Sequence, residues 1–299
     1  MNRRLVVNAD DAGLDPARDA AILAAADRGV VRSASVVANG PTAEAFVAAA
    51  RRLPGLSLGL HVNLTTGHAL AGRAFTLTQP DGTFLDRKDL VWRRAVDGQV
   101  DAREVEAEVA AQWRRLKALG AELDHVDGHH HVHVLPGIAE GVVAALLALR
   151  ANAFVRVPAE AMPPAGTPPV TEPAIPLGTT VLSRARLAQM QAGHGAIAAL
   201  GAHADAFRGL LQKGLRTTEG FTGLAFGVAP SAAALRAVVA AAPGGTVEAM
   251  VHPGRVEGLG ASSRDPHRDE EALVLRDPAL RADLESDGVV LASFRDLLA

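Results

Sequence analysis

Short aliphatic runs alternate along the chain with longer stretches in which apolar residues recur at helical spacing. The first runs, at Leu5–Val7, 30–37 and 56–64, have the length of strands. Asp15 followed by Pro16 is typical of a helix N-terminus, and Gly29 is typical of its end. A second helix is predicted over 41–52. The order is βαβα, which favours a parallel sheet.

The same alternation continues towards residue 299. A long amphipathic helix is predicted over 101–119, followed by a histidine-rich strand. The later predicted elements are a helix at 138–150, a strand at 154–157, and strand and helix segments at 224–228, 231–242, 247–251, 289–292 and 294–298. About seven βα units without a linker predict one α/β domain over residues 1–299, an irregular (β/α) barrel. A doubly wound open sheet is the alternative.

Two segments interrupt the alternation. Residues 65–100 contain Gly, Pro and Asp-Gly turns, and residues 159–180 are rich in proline. Loops of this length in a compact domain are usually lids or walls of a binding site. We therefore expect both excursions to lie beside the functional site.

Composition narrows the class of partner and of site. The net charge of −3 provides no basic surface for nucleic acid, so we expect a small or neutral partner. No apolar run approaches the roughly 18 residues of a membrane span, and a cytoplasmic location is the default expectation. The chain has no cysteine, so a metal site would have to use His, Asp or Glu.

Histidines are concentrated in DHVDGHHHVHVLPG, residues 124–137, which contains five of the chain's 11. If this segment is a strand, Asp127, His129, His131 and His133 share one face, and His130 points outward. Several neutral imidazoles in one place are difficult to satisfy without a metal, a carboxylate or water. The cluster therefore predicts metal binding or proton transfer.

Three other motifs also lie at predicted strand ends. NADDAG carries Asp10 and Asp11, GLHVNL carries His61, and AMVHPG carries His252. Parallel α/β folds place their ligand sites at the carboxyl ends of strands, so these side chains are expected to converge.

One Asp and two His around a divalent ion leave coordination positions open, which is typical of a catalytic site. The predicted reaction is metal-assisted hydrolysis of an amide or ester, with the two adjacent aspartates dividing the tasks of ligand and base. Two other classes stay open: a metal-dependent phosphoesterase, which usually needs two ions, and a non-catalytic metal-binding protein.

Taken together, NADDAG, GLHVNL, DGHHHVH, VRVP at 155–158 and the late HPG resemble the YdjC-like carbohydrate deacetylases, which include chitooligosaccharide deacetylases. The order and spacing agree over nearly the whole chain. The resemblance implies an irregular (β/α) barrel, often found as a dimer. It also implies removal of acetyl groups from N-acetylated sugars, with one divalent ion, magnesium or zinc.

The resemblance also implies roles for individual residues. It implies that Asp11, His61 and His129 are the metal ligands. It assigns Asp10 as the general base, although the roles of the two aspartates could be exchanged, and His252 as the acid or oxyanion partner. The groups implied to support the ligands or contact the substrate are His131, His133 and Arg156.

Two departures from the family pattern concern the substrate. Ala12 stands where the family usually has Phe, and Gly128 where it usually has Ser; neither is a proposed ligand. The chain also lacks tyrosine and has only Trp92 and Trp113 to stack on sugar rings, and Trp113 is expected to be packing. A single sugar-bearing metabolite or a short oligosaccharide is therefore expected rather than a long polysaccharide.

Overall fold

The computed structural model describes residues 3–72, 76–160, 200–201, 203–224, 226, 230–254 and 268–299. Its strands are β1 (Arg3–Ala12), β2 (Ser33–Val36), β3 (Ser57–Val62), β4 (Leu123–Gly128), β5 (Phe154–Val155), β6 (Gly220–Thr222), β7 (Thr246–Val251) and β8 (Val289–Leu291). Every pairing between these strands is parallel.

The sheet curls back on itself. Its strand order is β5-β4-β3-β2-β1-β7-β6, with β8 beside β1. Isolated parallel bridges from Phe154 to Arg216 and from Glu160 to Phe221 join the two outer edges. Because the edges meet, the architecture is the predicted irregular barrel and the doubly wound alternative is wrong.

Strand β1 is the most extensively paired strand of the barrel. Its first residues pair with β8, residues Arg4 to Ala9 pair with β7, and its last residues pair with β2. Leu5, Val7 and Ala9 face the main hydrophobic core, whereas the residues between them face the barrel interior. The acids that end β1 therefore extend from a strand fixed along its whole length.

Helices cover the outside of the sheet. Those whose bounds the structure describes are α1 (Pro16–Arg28), α2 (Ala43–Ala50), α3 (Lys88–Val96), α4 (Ala102–Ala118), α5 (Ile138–Ala148), α6 (Ala232–Ala241), α7 (Arg268–Arg276), α8 (Pro278–Ser286) and α9 (Phe294–Leu298). Asp15 caps α1 by accepting from the Arg18 amide, with Pro16 in the first turn and Gly29 at the end, as the sequence predicts.

The interior of the barrel has an apolar lower part and a polar upper part. Phe294 of α9 closes the lower part, where it packs with Val6 and stacks on the His125 ring at a centroid distance of 4.3 Å. The polar upper part contains Asn8, Asp127 and Glu248, all fully buried. Buried polar groups need partners, so this layer is where the chemistry is concentrated.

Three local predictions are corrected by the structure. The histidine-rich segment is not a continuous strand: β4 ends at Gly128, and His129–Val134 form a 3-10 turn. The strand expected at 224–228 lies earlier, as β6, and Leu224 and Phe226 are outside it. The 65–100 excursion contains a helix, α3. Of the second excursion, residues 161–180 lie outside the described residues.

Within the described residues, no helix has the length and hydropathy that crossing a membrane requires. Trp113 is half-buried and packs against the core, in agreement with the packing role expected for it.

Candidate active site and metal centre

The carboxyl ends of β1, β3 and β4 bring together the residues that the motifs single out. Asp10 and Asp11 come from β1, His61 from β3, and His129 from the turn that follows β4. All four are nearly inaccessible to solvent. The predicted convergence of three distant segments is thus observed.

Asp11 adopts a backbone conformation that is unusual for a residue with a side chain. Its φ is +68°, in the left-handed region, and the pairing of β1 with β2 shifts register between Ala9 and Ala12. Such a residue is disfavoured by about 1 kcal/mol or more, although Asp tolerates it better than most. The irregularity turns consecutive aspartates towards the same site, whereas a regular strand would place them on opposite faces.

Three candidate ligand atoms lie close together in the interior of the protein. Asp11 Oδ1 lies 2.7 Å from His129 Nδ1 and 3.2 Å from His61 Nε2. These atoms form one of the groups that could hold a metal ion in the described part of the chain, with all members within 4.8 Å of one another. Two imidazoles and one carboxylate form a donor set that suits a divalent ion with open positions.

The arrangement of these atoms fits a cation better than it fits hydrogen bonds. Within the described residues, no group meets the geometry of a hydrogen bond to Asp11 Oδ1, although two ring nitrogens lie close to it. Burial opposes protonation of His61, but the carboxylates of Asp127 and Asp11 outweigh it and raise the pKa of His61 to about 10. A site that draws a proton onto an imidazole this strongly favours positive charge between its ligands.

The other oxygen of Asp11 is bound by arginines. Arg18 Nη1 lies 2.9 Å and Arg268 Nη2 3.0 Å from Asp11 Oδ2. Burial alone would raise the pKa of Asp11, but the charges of His129 and Arg268 outweigh it and lower the pKa well below the usual value. Asp11 is therefore ionised at neutral pH, as a metal ligand would have to be.

Asp10 forms a bidentate ion pair with Arg156. Arg156 Nη1 lies 2.6 Å from Asp10 Oδ2, and Arg156 Nη2 donates to Asp10 Oδ1 at 2.7 Å. The same guanidinium reaches Asp127 Oδ2 at 2.8 Å and Glu248 Oε1 at 2.7 Å. Burial disfavours its charge, but the three carboxylates outweigh burial and raise the pKa of Arg156. This fork fixes the orientation of the Asp10 carboxylate.

A second group that could hold a metal ion consists of Asp10, His61 and Asp127. Its two carboxylates are already paired with Arg156, whose guanidinium is almost fully buried. The positive charge that these carboxylates need is therefore supplied by the chain itself. The Asp11 group is the better candidate for a metal.

Asp127 orients the candidate ligand His61. Its Oδ1 lies 2.6 Å from His61 Nδ1, which leaves Nε2 to face Asp11. A carboxylate behind a metal-binding histidine fixes the tautomer and ring orientation of that histidine. Asn8 donates to both Asp10 and Asp127, at 2.9 and 3.2 Å, and so links the two acids.

His252 lies at the edge of the site, after β7. Its Nε2 is 3.9 Å from Asp10 Oδ2, and its side chain is 26% exposed. Burial and then the positive charge of Arg268 lower its pKa to about 4. His252 is therefore neutral at neutral pH and lies near the predicted base.

The remaining histidines have distinct places. His133 is fully buried, and its Nε2 donates to the Arg156 carbonyl at 3.0 Å. Because His133 and Arg156 are both buried, they are better placed to support the candidate ligands than to contact a substrate. His131 is half-buried, with its ring nearly perpendicular to that of Phe221. His130 does not point outward as expected, because its ring lies 3.9 Å from that of His129.

Several residues of the site were not found from the sequence. Arg18 lies inside a helix, Asn8 and Glu248 lie inside strands, and Arg268 begins a helix. Asn8, Glu248 and Arg268 contact partners far away along the chain, and Arg18 reaches Asp11 from the next element, so no local motif marks these contacts. The one available signal was charge at positions that should be buried, since Glu248 interrupts an otherwise apolar strand.

Comparisons with known proteins show which family the chain is similar to. A family model described as YdjC-like protein matches residues 4–286. A carbohydrate deacetylase of Mus musculus is 36% identical over 317 aligned positions, which cover 98% of this chain and 94% of that protein. A chitooligosaccharide deacetylase of Serratia marcescens is 37% identical over 139 positions, 46% of this chain and 53% of that protein.

One solved structure, from Enterococcus faecalis V583 and named for cellobiose-phosphate cleavage, has a TM-score of 0.73 and covers 99% of both chains. At 22% identity this likeness shows the fold alone. The family match spans nearly the whole chain and includes each motif that supplies a residue to the site. The chain therefore belongs to the YdjC-like protein family.

Proposed function

We propose that the protein is a carbohydrate deacetylase that uses one divalent metal ion to remove acetyl groups from N-acetylated sugars or short oligosaccharides. The observation that carries the proposal is the convergence of Asp11 Oδ1, His61 Nε2 and His129 Nδ1 beside the separately clamped Asp10. The names of the mouse and human relatives, carbohydrate deacetylase, support the substrate class.

Asp11, His61 and His129 would hold the ion, which we propose to be magnesium or zinc. A divalent ion in this position supplies Lewis acidity, which polarises an acetyl carbonyl and acidifies water. Asp127 would accept a hydrogen bond from His61 Nδ1 and so leave His61 Nε2 free to bind the ion.

Asp10 would act as the general base. Its carboxylate lies next to Asp11, His61 and His129 but is not one of these candidate ligands. Arg156 fixes the plane of the carboxylate. In this role it accepts a proton from the attacking water while the C–N bond of the acetamide is still intact. The arrangement favours Asp10 as base and Asp11 as ligand over the exchanged roles, because Arg156 engages both oxygens of Asp10.

His252 would complete the proton transfer. A neutral imidazole 3.9 Å from Asp10 Oδ2 is placed to receive a proton and pass it to the leaving amine. Since its pKa is lowered to about 4, it has to gain that proton during the reaction rather than carry it beforehand. The half-buried His131 is the candidate for substrate contact, with His133 and Arg156 in support.

The dinuclear phosphoesterase alternative has less support. It needs two ions about 3.5–4 Å apart with carboxylates bridging them. In the described residues the second candidate group shares His61 with the first, and Arg156 already neutralises its carboxylates. One ion is therefore the proposed stoichiometry.

The proposal is tested by acetate release. The metal-loaded protein is incubated with N-acetylated mono-, di- and trisaccharides, with and without a chelator, and acetate is quantified. We expect acetate release that the chelator abolishes, and a loss of about 100-fold or more in kcat for Asp10→Asn with the bound metal retained. Asp27→Asn, an exposed acid on α1, is the matched control.

His129→Ala is expected to lose both metal and activity, with the exposed His68→Ala as its control. Absence of acetate release across the whole panel would overturn the proposed substrate class. Retention of metal and activity by His129→Ala would show that the ligand set is wrong.

Assembly and location stay predictions. We propose a homodimer in the cytoplasm, and light scattering on the purified protein at several concentrations tests the first part.

A further inference from the structure

The two oxygens of Asp11 have opposite surroundings. Oδ1 faces the ring nitrogens of His61 and His129, whereas Oδ2 is bound by two guanidinium groups, 2.9 Å from Arg18 and 3.0 Å from Arg268. One carboxylate is thus shared between a candidate metal site and two fixed cations.

Arg18 is built into this arrangement. Its side chain is completely inaccessible to solvent, and its Nε lies 3.2 Å from Asp15 Oδ2 at the start of α1. Gly254, from the HPG motif, packs on its stem: a Cβ at that glycine would lie 2.8 Å from Arg18 Cα. Arginine is rarely buried this completely without a specific role for its charge.

The positive charges are incompletely compensated. Arg18 Nη2 and two nitrogens of Arg268, Nε and Nη1, are buried and have no hydrogen-bond partner in the described part of the chain. The two guanidinium groups share Asp11, and only Arg18 has a further acid, Asp15, within ion-pair distance there. A cation bound at Oδ1 would therefore experience repulsion from both arginines.

We propose that Arg18 and Arg268 are positioning residues that keep the metal centre electron-poor. By holding Oδ2 they restrict Asp11 to one-oxygen ligation, and their charges oppose the charge of the bound ion. The centre thereby binds its ion less tightly than the same three ligands would alone, and the ion stays a stronger Lewis acid. This inference rests on the metal centre of the proposed function and concerns the two arginines, which that proposal leaves without a role.

The test measures metal affinity separately from activity. Metal-free protein is titrated with Zn²⁺ in competition with a chromophoric chelator, and kcat is measured at metal saturation. Arg18→Gln and Arg268→Gln are expected to bind Zn²⁺ at least about tenfold more tightly and to lose at least about fivefold in kcat. Arg18→Lys, which keeps the charge, is expected to stay within about threefold of the original affinity.

Arg32→Gln is the matched control, because Arg32 is a half-buried arginine that bonds the carbonyls of Ala26 and Val31 away from the site. It is expected to leave Zn²⁺ affinity unchanged. Circular dichroism of each metal-free variant checks the fold. If Arg18→Gln does not fold, Arg268→Gln carries the same test from the first residue of α7, where the side chain is 11% exposed.

Unchanged or weaker Zn²⁺ binding in the folded glutamine variants would overturn the inference, since arginines that only support the ligands would give that result. Failure of the unmodified protein to bind Zn²⁺ would remove the metal centre and the inference together. Tighter binding by the variants of a protein that releases no acetate would refute the deacetylase proposal and uphold the inference.

Discussion

Glu248 is a fully buried acid whose two oxygens differ in their hydrogen bonding. Oε1 accepts from Arg156 Nε at 2.7 Å, whereas Oε2 is buried without a hydrogen-bond partner in the described residues. Burial raises the pKa of Glu248 above its usual value, although Arg156 opposes the shift. The folded protein therefore binds a proton at this site more tightly than the unfolded chain does.

This difference predicts how Glu248→Gln changes stability with pH. The stability that Glu248 contributes is complete below its unfolded-state pKa of 4.5 and is lost as pH rises through the higher folded-state pKa. Glutamine has no such loss, and it can still accept from Arg156. In chelator-containing buffer, the Tm of the variant minus that of the original protein is therefore expected to be larger at pH 7 than at pH 4.

Each unit by which folding raises the pKa corresponds to about 1.4 kcal/mol of stability lost at high pH. Calorimetry of both proteins at the two pH values makes the measurement. A Tm difference that does not change with pH would show that folding does not raise the pKa of the Glu248 carboxyl, contrary to the prediction.

At the scale of elements, helix α4 fixes the excursion that follows β3. The carboxylate of Glu108 is fully buried and accepts from the amides of Leu70 and Ala71 at 3.0 and 2.7 Å, and Gln112 donates to the same side chain. One turn earlier, Glu104 accepts from the Thr76 amide. Side chains four residues apart thus hold a non-helical segment against the helix.

Glu108→Ala is therefore expected to detach this segment. The amides of Leu70 and Ala71 lose their acceptor, and the free energy of unfolding is expected to fall by about 1–3 kcal/mol. Hydrogen exchange at residues 65–72 is expected to accelerate more than exchange in the strands. Glu106→Ala, on the same helix, is the control, and equal exchange in the two variants would count against the assignment.

The elements also show how far sequence reasoning extends. Helix α1 could be predicted to its ends because Asp15, Pro16 and Gly29 are local signals with local causes. The histidine turn could not, because His130 and His131 adopt left-handed backbone conformations, each with φ of +56°, in a segment whose composition suits a strand. The β4 strand ends at Gly128, and His129 reaches Asp11 through that turn.

The candidate site also has residues that the sequence predicts and residues that it does not. Its candidate ligands follow from motifs at strand ends, because parallel strands bring those ends together. Partners such as Arg268, which binds Asp11, and Glu248, which binds Arg156, are defined by contacts between segments far apart in the sequence. Such contacts depend on packing between elements, which a single sequence does not display.

At the scale of the whole molecule, metal binding is expected to stabilise the fold. The ligands come from three separate segments, so the unfolded chain lacks the site, and an ion bound only by the folded state adds stability by mass action. At 100 times the Kd the gain is about 2.7 kcal/mol. Zn²⁺ is therefore expected to raise the Tm of the protein, and a chelator to reverse the rise.

His61→Ala is expected to abolish this response, whereas His68→Ala, which removes an exposed imidazole, is expected to retain it. An equal rise in Tm for both variants would indicate binding elsewhere on the surface.

The pairing of β1 has a consequence for the protein while it is being made. Arg3 pairs with Val289 and Leu5 with Leu291, so the strand that ends in the two acids receives its last neighbour from the final residues of the barrel. Asp10 and Asp11 therefore lie on a strand that is fully paired only after Val289–Leu291 have joined the sheet. A growing chain that has not yet reached Val289 carries both acids on a strand that still lacks one of its neighbours.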